Sequence, residues 1–429
     1  MAILTSFPVT APVNPSNGAV TIAAGAISPA VKPIPQKIEE VLETGLIASI
    51  RGIIPGDTIA LRADMDALPM KEESGLEFAA TGDACHSCGH DLHMATLLGA
   101  AKLLKQHESE LNGCVKFMFQ PDEEGYSGDD VGGAEHMLLN GVLENPTVGA
   151  CFSTHIWSGL YSTGKISWRK GGFMSSCDNI TIEIQGKAAH GSRPEDGISP
   201  INIGCHIYLG LQELISREVP PYEQTVLTCG AFNSGSTCNQ IPNTATLNGT
   251  LRTENESVRT FLKKRITEIV EGTAKLYGGT ATVKFWAGIP SVYNNPALTD
   301  ELIGYSKELL GAENFIEEPH THSSSDDISV ISQACPTTYV FLCAGSPEEG
   351  YTQSHHHPAI LFNEDVLHLG AALFAHNAIE WLKKNNYPIK VVFCVYNDFD
   401  RKLYEEAFQE FDLKSNLKNV IKSLYFSSS

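Results

Sequence analysis

The chain has 429 residues, enough at roughly 150 residues per domain for two or three domains. Its 30 Lys and Arg against 50 Asp and Glu leave a net charge of −20. That balance argues against a nucleic-acid partner and against an anionic membrane surface, both of which need clustered basic residues. Hydrophobic residues at 42% and charged residues at 19% are ordinary for a soluble globular protein with large cores.

Met1 to Gln36 is rich in Ala, Pro, Thr and Ser, has no acidic residue and carries one basic residue, Lys32. A secretory signal wants a basic start and a continuous apolar run, which Pro8, Pro12, Asn14 and Pro15 interrupt. Residues 1–36 therefore read as a flexible leader. No run approaches the roughly 20 apolar residues of a membrane-spanning helix. The 11 cysteines lack the close, regular spacing of a disulfide scaffold, so a reduced, cytoplasmic compartment is expected.

From Leu46 onward, apolar runs alternate with turns and amphipathic stretches. Leu46–Ile50 and Thr58–Ala63 read as strands joined by a Pro55-Gly56-Asp57 turn. Leu92–Leu104 reads as a helix with Asp91 as its N-cap, followed by a buried strand at Val115–Phe119. A helix at Gly133–Asn140 and a buried strand at Val148–Thr154 come next. Strands that are apolar throughout and alternate with helices imply an α/β domain, its mostly parallel sheet flanked by helices.

Around Asp178 the pattern changes. Ile180, Ile182 and Ile184 alternate with polar residues, as in a half-buried strand. A helix (Pro200–Ile215), two strands (Thr225–Phe232, Thr244–Thr253), a long helix (Glu256–Tyr277) and a strand (Thr282–Trp286) follow. This order is that of a ferredoxin-like unit, and it is inserted, because the earlier α/β style resumes afterwards. The expected division is a catalytic domain over 37–177 and 290–388, an inserted α+β domain over 178–289, and a C-terminal extension over 389–429.

The densest chemistry lies in Cys85-His86-Ser87-Cys88-Gly89-His90-Asp91-Leu92-His93, on a loop running into a helix N-terminus. Helix-end amides favour a thiolate, so Cys88 is expected to ionise near neutral pH. A thiolate and an imidazole separated by one glycine can converge on one metal ion. A lone C-x-x-C can also be a redox pair or half a zinc ribbon, but no second C-x-x-C completes a ribbon, and a redox pair leaves the histidines unexplained. In Gln120-Pro121-Asp122-Glu123-Glu124, two adjacent carboxylates follow a buried strand, where open α/β sheets place their ligands. One can bind metal while the other handles a proton. His155 also follows a buried strand, and His355-His356-His357 precedes the last helix of the domain; spacing does not say which member of that triplet binds. One thiolate, several imidazoles and two carboxylates exceed a closed structural zinc site and suit a two-metal hydrolytic centre. No G-x-S-x-G elbow, phosphate loop or dinucleotide fingerprint competes with this reading.

Leu61-Arg62-Ala63-Asp64-Met65-Asp66-Ala67-Leu68-Pro69, Cys88-Gly89-His90-Asp91 and Phe119–Gly125 resemble the aminoacylase/carboxypeptidase G superfamily of co-catalytic metallohydrolases. The likeness is to its amidohydrolase branch, which includes hippurate hydrolase, N-acetyldiaminopimelate deacetylase and indole-acetyl-amino acid hydrolases. Gly186-Lys187 with His190, Ser216–Val219, Asn239–Pro242, Gly249–Arg252 and His356-His357-Pro358 extend the resemblance over residues 45–383. It implies a zinc-peptidase-like catalytic domain with a ferredoxin-like lid that dimerises. It implies two divalent ions per subunit, zinc or manganese first and cobalt or nickel next, on Cys88, His90, Glu124, His155 and His356. It further implies Glu123 as general base, His190 as an oxyanion donor reaching a neighbouring subunit, and Asn239 and Arg252 as substrate contacts. Asp64, Asp66, His86 and Asp91 would orient the ligands. The implied reaction is cleavage of an N-acyl amino acid at its amide bond; the rivals are a dipeptidase or aminopeptidase on the same scaffold and a catalytically impaired metal binder. The sequence departs from the family pattern at its leader, at Asp326-Asp327-Ile328 where Glu-Asp-Phe is usual, and in its extended C-terminus.

Overall fold

The computed structural model describes residues 39–41, 44–126 and 131–385; the expected leader and C-terminal extension lie outside the described residues. The first α/β run comprises β1 (Glu39–Val41), β2 (Gly45–Arg51), β3 (Ile54–Asp64), α1 (His90–Gln106), β4 (Asn112–Gln120), α2 (Gly133–Leu139), β5 (Ala150–Trp157), β6 (Ile166–Trp168) and β7 (Gly171–Met174). Next come β8 (Cys177–Gln185), β9 (Ala189–His190), α3 (Pro200–Glu218), β10 (Thr225–Ser234), β11 (Gln240–Ile241), β12 (Thr244–Thr253), α4 (Glu256–Leu276) and β13 (Thr280–Ile289). The chain returns through β14 (Val292–Asn294), α5 (Pro296–Leu310), β15 (Phe315–Glu317), α6 (Ile328–Ala334), β16 (Thr337–Cys343) and α7 (Leu367–Lys384).

An eight-stranded sheet runs in the order β1-β2-β4-β3-β5-β16-β6-β15. Its centre is parallel, with β4, β3, β5 and β16 all pointing one way, while β1–β2, β2–β4 and β16–β6 are antiparallel pairs. Alternate side chains of the central strands feed two cores. Ile59, Leu61, Phe117 and Phe152 pack with Leu97 and Leu104 of α1 and with Phe374 and Trp381 of α7. Ala60, Met118 and Cys151 pack on the other face with Met137 of α2 and Ile331 of α6. Burial on both faces is why these strands read as unbroken apolar runs.

Residues 177–289 build a second, wholly antiparallel sheet, β10-β12-β8-β13. Its strand order is the one a ferredoxin-like unit requires. Ile180, Ile182 and Ile184 face Ile207 and Leu211 of α3 and Ile266 of α4, while the intervening residues face outward. The strands on either side of this unit, β7 and β14, pair with each other, so the chain leaves and re-enters the larger sheet's domain at one place.

Two local expectations are corrected. Pro55-Gly56-Asp57 is not a turn between neighbouring strands, because β2 and β3 flank β4 and these residues form an irregularity within β3. Gly56 serves close approach: a Cβ there would lie 2.8 Å from the Asn112 carbonyl oxygen. The N-cap of α1 is Gly89, at φ 86, and Asp91 sits exposed in the first turn.

Candidate metal centre

The parallel strands β3, β4, β5 and β16 end on one edge of the large sheet, and the loops that leave this edge carry the chemistry. Asp64 closes β3, with Asp66 just beyond it. Glu123 and Glu124 follow β4, His155 lies near the end of β5, and His355 and His356 lie between β16 and α7. Cys88 precedes α1 and His90 opens it. The left-handed Gly89 between them turns two consecutive functional side chains toward one space; a Cβ there would lie 3.2 Å from the Phe362 ring. Two non-glycine residues also adopt positive φ at the site, Asp122 (53°) and His356 (66°). Such backbone costs about 1–3 kcal/mol per residue, and it is the kind of strain that collects at functional sites.

Cys88 stands within one ligand's reach of Glu124 and His356, and His90 within the same reach of Glu123 and Glu124. Cys88 Sγ is 3.5 Å from His155 Nε2 and 3.7 Å from His355 Nδ1. Glu124 Oε1 is 3.1 Å from His356 Nε2.

The hydrogen-bond network places the imidazole protons, and whether Nε2 is left free separates candidate ligands from supports. His155 donates from Nδ1 to the Ile156 carbonyl at 2.9 Å, which leaves the Nε2 lone pair facing the sulfur. His90 donates from Nδ1 to the Asp66 carbonyl (3.1 Å) and carboxylate (3.2 Å), so its Nε2 also carries a lone pair. His93 has the same tautomer, but its Nε2 is engaged, accepting from the Ile156 amide at 2.7 Å, while Nδ1 donates to Asp64. His93 has no lone pair left for an ion.

The donor set fits divalent metal. His90 Nε2 is buried with no hydrogen-bond partner, an arrangement a cation resolves and water-free packing does not. Thiolate, imidazole and carboxylate together suit a first-row divalent ion. Asp66 braces both halves of the cluster, since its carboxylate also accepts the Glu124 amide at 2.9 Å.

Electrostatics point the same way. Burial and the neighbouring His93 and His355 hold His155 well below the usual imidazole range, so it stays neutral. Burial works against charge on His90, but Asp64 and Asp66 outweigh it and favour positive charge at Nε2, brought by a proton or by an ion. Burial, with Asp326, Asp327 and Glu124 nearby, pushes Glu123 well above the usual carboxylate range. The expectation for Cys88 is corrected: burial pushes its thiol up despite His356 and His90, so the helix end alone does not ionise it.

Cys88, His90, Glu124, His155, His356 and Glu123 thus come together in one cluster. The other sequence candidates do not join it. His190 is exposed in β9, paired with Gln240 of β11, and its Nδ1 accepts from the Ser192 hydroxyl at 2.8 Å. Asn239 lies beside it, its carbonyl accepting the Gly191 amide at 2.8 Å. Arg252 lies in β12 with Nη1 buried and unpartnered. Asp64 and Asp66 orient histidines, whereas the exposed Asp91 does not, and His86 belongs to none of the ligand groups. Sequence reasoning missed the role of Arg62. This buried guanidinium donates to Asp64 (2.7 Å), Asp327 (3.0 Å) and Gln120 (2.9 Å) and pairs with Asp326 at 3.2 Å. Asp326 and Asp327 thus share one cation with Asp64, and the Asp327 amide donates to Glu123 Oε1 at 3.4 Å.

The chain matches the peptidase family M20/M25/M40 over residues 60–380. It is 37% identical over 329 residues to IAA-amino acid hydrolase ILR1-like 4 of Arabidopsis thaliana, covering 76% of this chain and 73% of that protein. It is 36% identical over 345 residues to thermostable carboxypeptidase 1 of Saccharolobus solfataricus, covering 80% and 85%. Among solved structures, the Bacillus subtilis YXEP protein, a dinuclear metal binding peptidase from the M20 family, matches with a TM-score of 0.66 at 31% identity over 81% of this chain and 88% of that one. A cluster built for metal at the sheet's carboxyl edge and a family match over residues 60–380 lead to one assignment: the chain belongs to peptidase family M20/M25/M40 and is a metal-dependent amidohydrolase.

Proposed function

We propose that the enzyme cleaves N-acyl amino acids to a carboxylic acid and a free amino acid, using two divalent ions held by Cys88, His90, Glu124, His155 and His356. The observation that carries this reading is the placement of Glu123. Its side chain is only 10% exposed and adjoins His90 and Glu124, while its backbone neighbour supplies the ligand oxygen. The raised proton affinity that burial and nearby acids give Glu123 suits a group that must hold a proton between two steps.

Bound ions would supply Lewis acidity, lowering the pKa of a water and polarising the carbonyl oxygen. Glu123 accepts the proton of the attacking water and returns it to the leaving nitrogen. The Asp327 amide on Glu123 Oε1 holds the carboxylate in place for both transfers. The thiolate and imidazoles favour zinc, and the carboxylates admit manganese, with cobalt or nickel as substitutes.

Residues 178–289 are read as a lid between the two segments of the catalytic domain, 37–177 and 290–388, and the pairing of β7 with β14 supports a single hinge region. The lid would bring His190 to the developing oxyanion, and its Asn239 and Arg252 to the substrate. The unpartnered Arg252 Nη1 suits the carboxylate of an amino acid product. His190 touches none of the candidate ligands of its own chain, as expected of a donor that arrives on closure or from a neighbouring copy. Exposed Ile201, Tyr208 and Leu209 on α3 support a homodimer through this unit. A cytoplasmic location accords with the free cysteines among the described residues.

The test is apo-protein reconstituted separately with Zn, Mn and Co and assayed on N-acetyl, N-benzoyl and indole-acetyl amino acids, N-blocked dipeptides and free dipeptides. Hydrolysis of N-acyl amino acids is expected. Activity confined to free dipeptides would replace this reading with the dipeptidase one.

A further inference from the structure

His355 stands beside the centre with a role that neither the ligand set nor the general base accounts for. Its ring packs against Trp157 (centroids 4.5 Å), His155 (5.2 Å) and Phe362 (5.6 Å). Its two nitrogens have different partners. The Ser158 amide donates to Nε2 at 3.2 Å, and Ser158 is itself anchored by its hydroxyl donating to the Leu361 carbonyl at 2.7 Å. A nitrogen that accepts an N–H bears no proton, so the neutral ring carries its proton on Nδ1. That Nδ1 is 3.7 Å from Cys88 Sγ.

We propose that His355 is a positioning residue for the Cys88 sulfur: its Nδ1–H donates a hydrogen bond to the thiolate and so directs the sulfur's remaining lone pairs toward the ion. Two imidazoles, both carrying their proton on Nδ1, thus meet one sulfur through opposite ring nitrogens. His155 turns a lone pair toward it and shares its ion; His355 turns a proton toward it and draws charge off it. Cys88, His155 and His355 lie close enough together to suggest a three-ligand site, but a protonated Nδ1 is not a ligand atom. Hydrogen bonds around a ligating sulfur tune its electron donation, and loss of such outer partners typically weakens metal binding 10–100-fold. The left-handed His356 lets adjacent residues serve the same sulfur in different ways. This inference rests on the reading of Cys88 as a ligand given under Proposed function.

The test is cobalt-loaded full-length enzyme in five forms: wild type, Cys88→Ser, His355→Phe, His355→Leu and His355→Asn. Metal content, cobalt affinity and the near-ultraviolet sulfur-to-cobalt charge-transfer band are read for each. Wild type should show a band that Cys88→Ser lacks. His355→Phe, or His355→Leu should the larger ring not be accommodated, should keep two ions, bind them about 10–100-fold more weakly, and move the band to longer wavelength, because a sulfur without its donor is easier to oxidise. His355→Asn, whose amide N–H can take the place of Nδ1–H, should restore band and affinity. Loss of one whole ion in the donor-free variants would make His355 a ligand and overturn the proposal. An unmoved band, or a shift that His355→Asn fails to reverse, would reduce it to packing and also overturn the proposal. A wild-type enzyme without a Cys88-dependent band would instead overturn the ligand reading on which the proposal stands.

Discussion

Replacing Arg62 with Met should damage the protein in a way that depends on pH. The guanidinium is 1% exposed and faces Asp64 at 2.7 Å, Asp327 at 3.0 Å and Asp326 at 3.2 Å, all nearly or fully buried. Removing one partner of a buried ion pair costs roughly 3–5 kcal/mol, because the other charge is left without compensation. Methionine keeps the apolar stem but strands three carboxylates, so the loss belongs near the upper end, about 5 kcal/mol, against a total stability of about 5–15 kcal/mol. In the wild type, burial pushes Asp64 up, but Arg62, then His90 and His93, outweigh it and hold it well below the carboxylate range. Its stabilising contribution is therefore complete above the unfolded value of about 4 and is lost only in stronger acid. In the variant, His90 and His93 still act on Asp64, but Asp326 and Asp327 lose their cation; Asp327, already pushed up to about 7 by burial, rises further, and the folded state takes up protons that the unfolded state does not hold. Stability of the variant must then rise as pH falls, and its deficit against wild type must narrow between about pH 7.5 and about pH 5.5. Urea unfolding of chelator-treated proteins, followed by far-ultraviolet circular dichroism at both pH values, measures this. A loss below about 1 kcal/mol near neutrality, or a deficit that widens in acid, would refute the reasoning.

Gly89→Ala should force a left-handed residue and press a Cβ against Phe362, costing about 1–3 kcal/mol and displacing Cys88 and His90 together. Metal content after dialysis should fall, and full retention would mean that the loop adapts. Lys116→Met should lose about 2–3 kcal/mol of stability with kcat unchanged, because Nζ donates to the Val142 (2.8 Å), Glu144 (2.7 Å) and Pro146 (3.2 Å) carbonyls far from the centre. Urea midpoints within error of wild type would contradict this. His190→Ala should keep fold and metal yet lower kcat by about 10²–10³-fold, and mixing it with Glu123→Gln protein should recover activity through hybrid dimers. A near wild-type kcat would return His190 to the surface of its unit.

What could be read from sequence was whatever follows from local period and motif. The alternation of Ile180, Ile182 and Ile184 placed β8, and the change from continuous to alternating apolarity marked where one sheet gives way to the other. The ligand loops were legible because each follows a buried apolar strand. Less legible was what depends on distant parts of the chain. Arg62 meets Asp326 across 264 residues, so nothing local announces their pairing. Lys116 interrupts an apolar strand and is satisfied only by carbonyls at 142–146. Preference alone favours Asp91 as the cap of α1, but the demand that Cys88 and His90 share a space puts a left-handed glycine there instead. The triplet His355-His356-His357 gave no sign of which ring does what, since the proton position on His355 is set by Ser158 and the left-handed backbone at His356 turns its neighbours apart.

The central claim is that adjacent glutamates divide the work, Glu124 holding metal and Glu123 moving the proton. Glu123→Gln and Glu124→Gln, purified in parallel and compared for bound metal and for kcat on an N-acyl amino acid, test it most directly. Glu123→Gln should retain near wild-type metal and lose at least about 10²-fold in kcat, the range for a general base. Glu124→Gln should lose metal, and its activity with it. Equal loss of metal in both variants, or an active Glu123→Gln enzyme, would contradict the account.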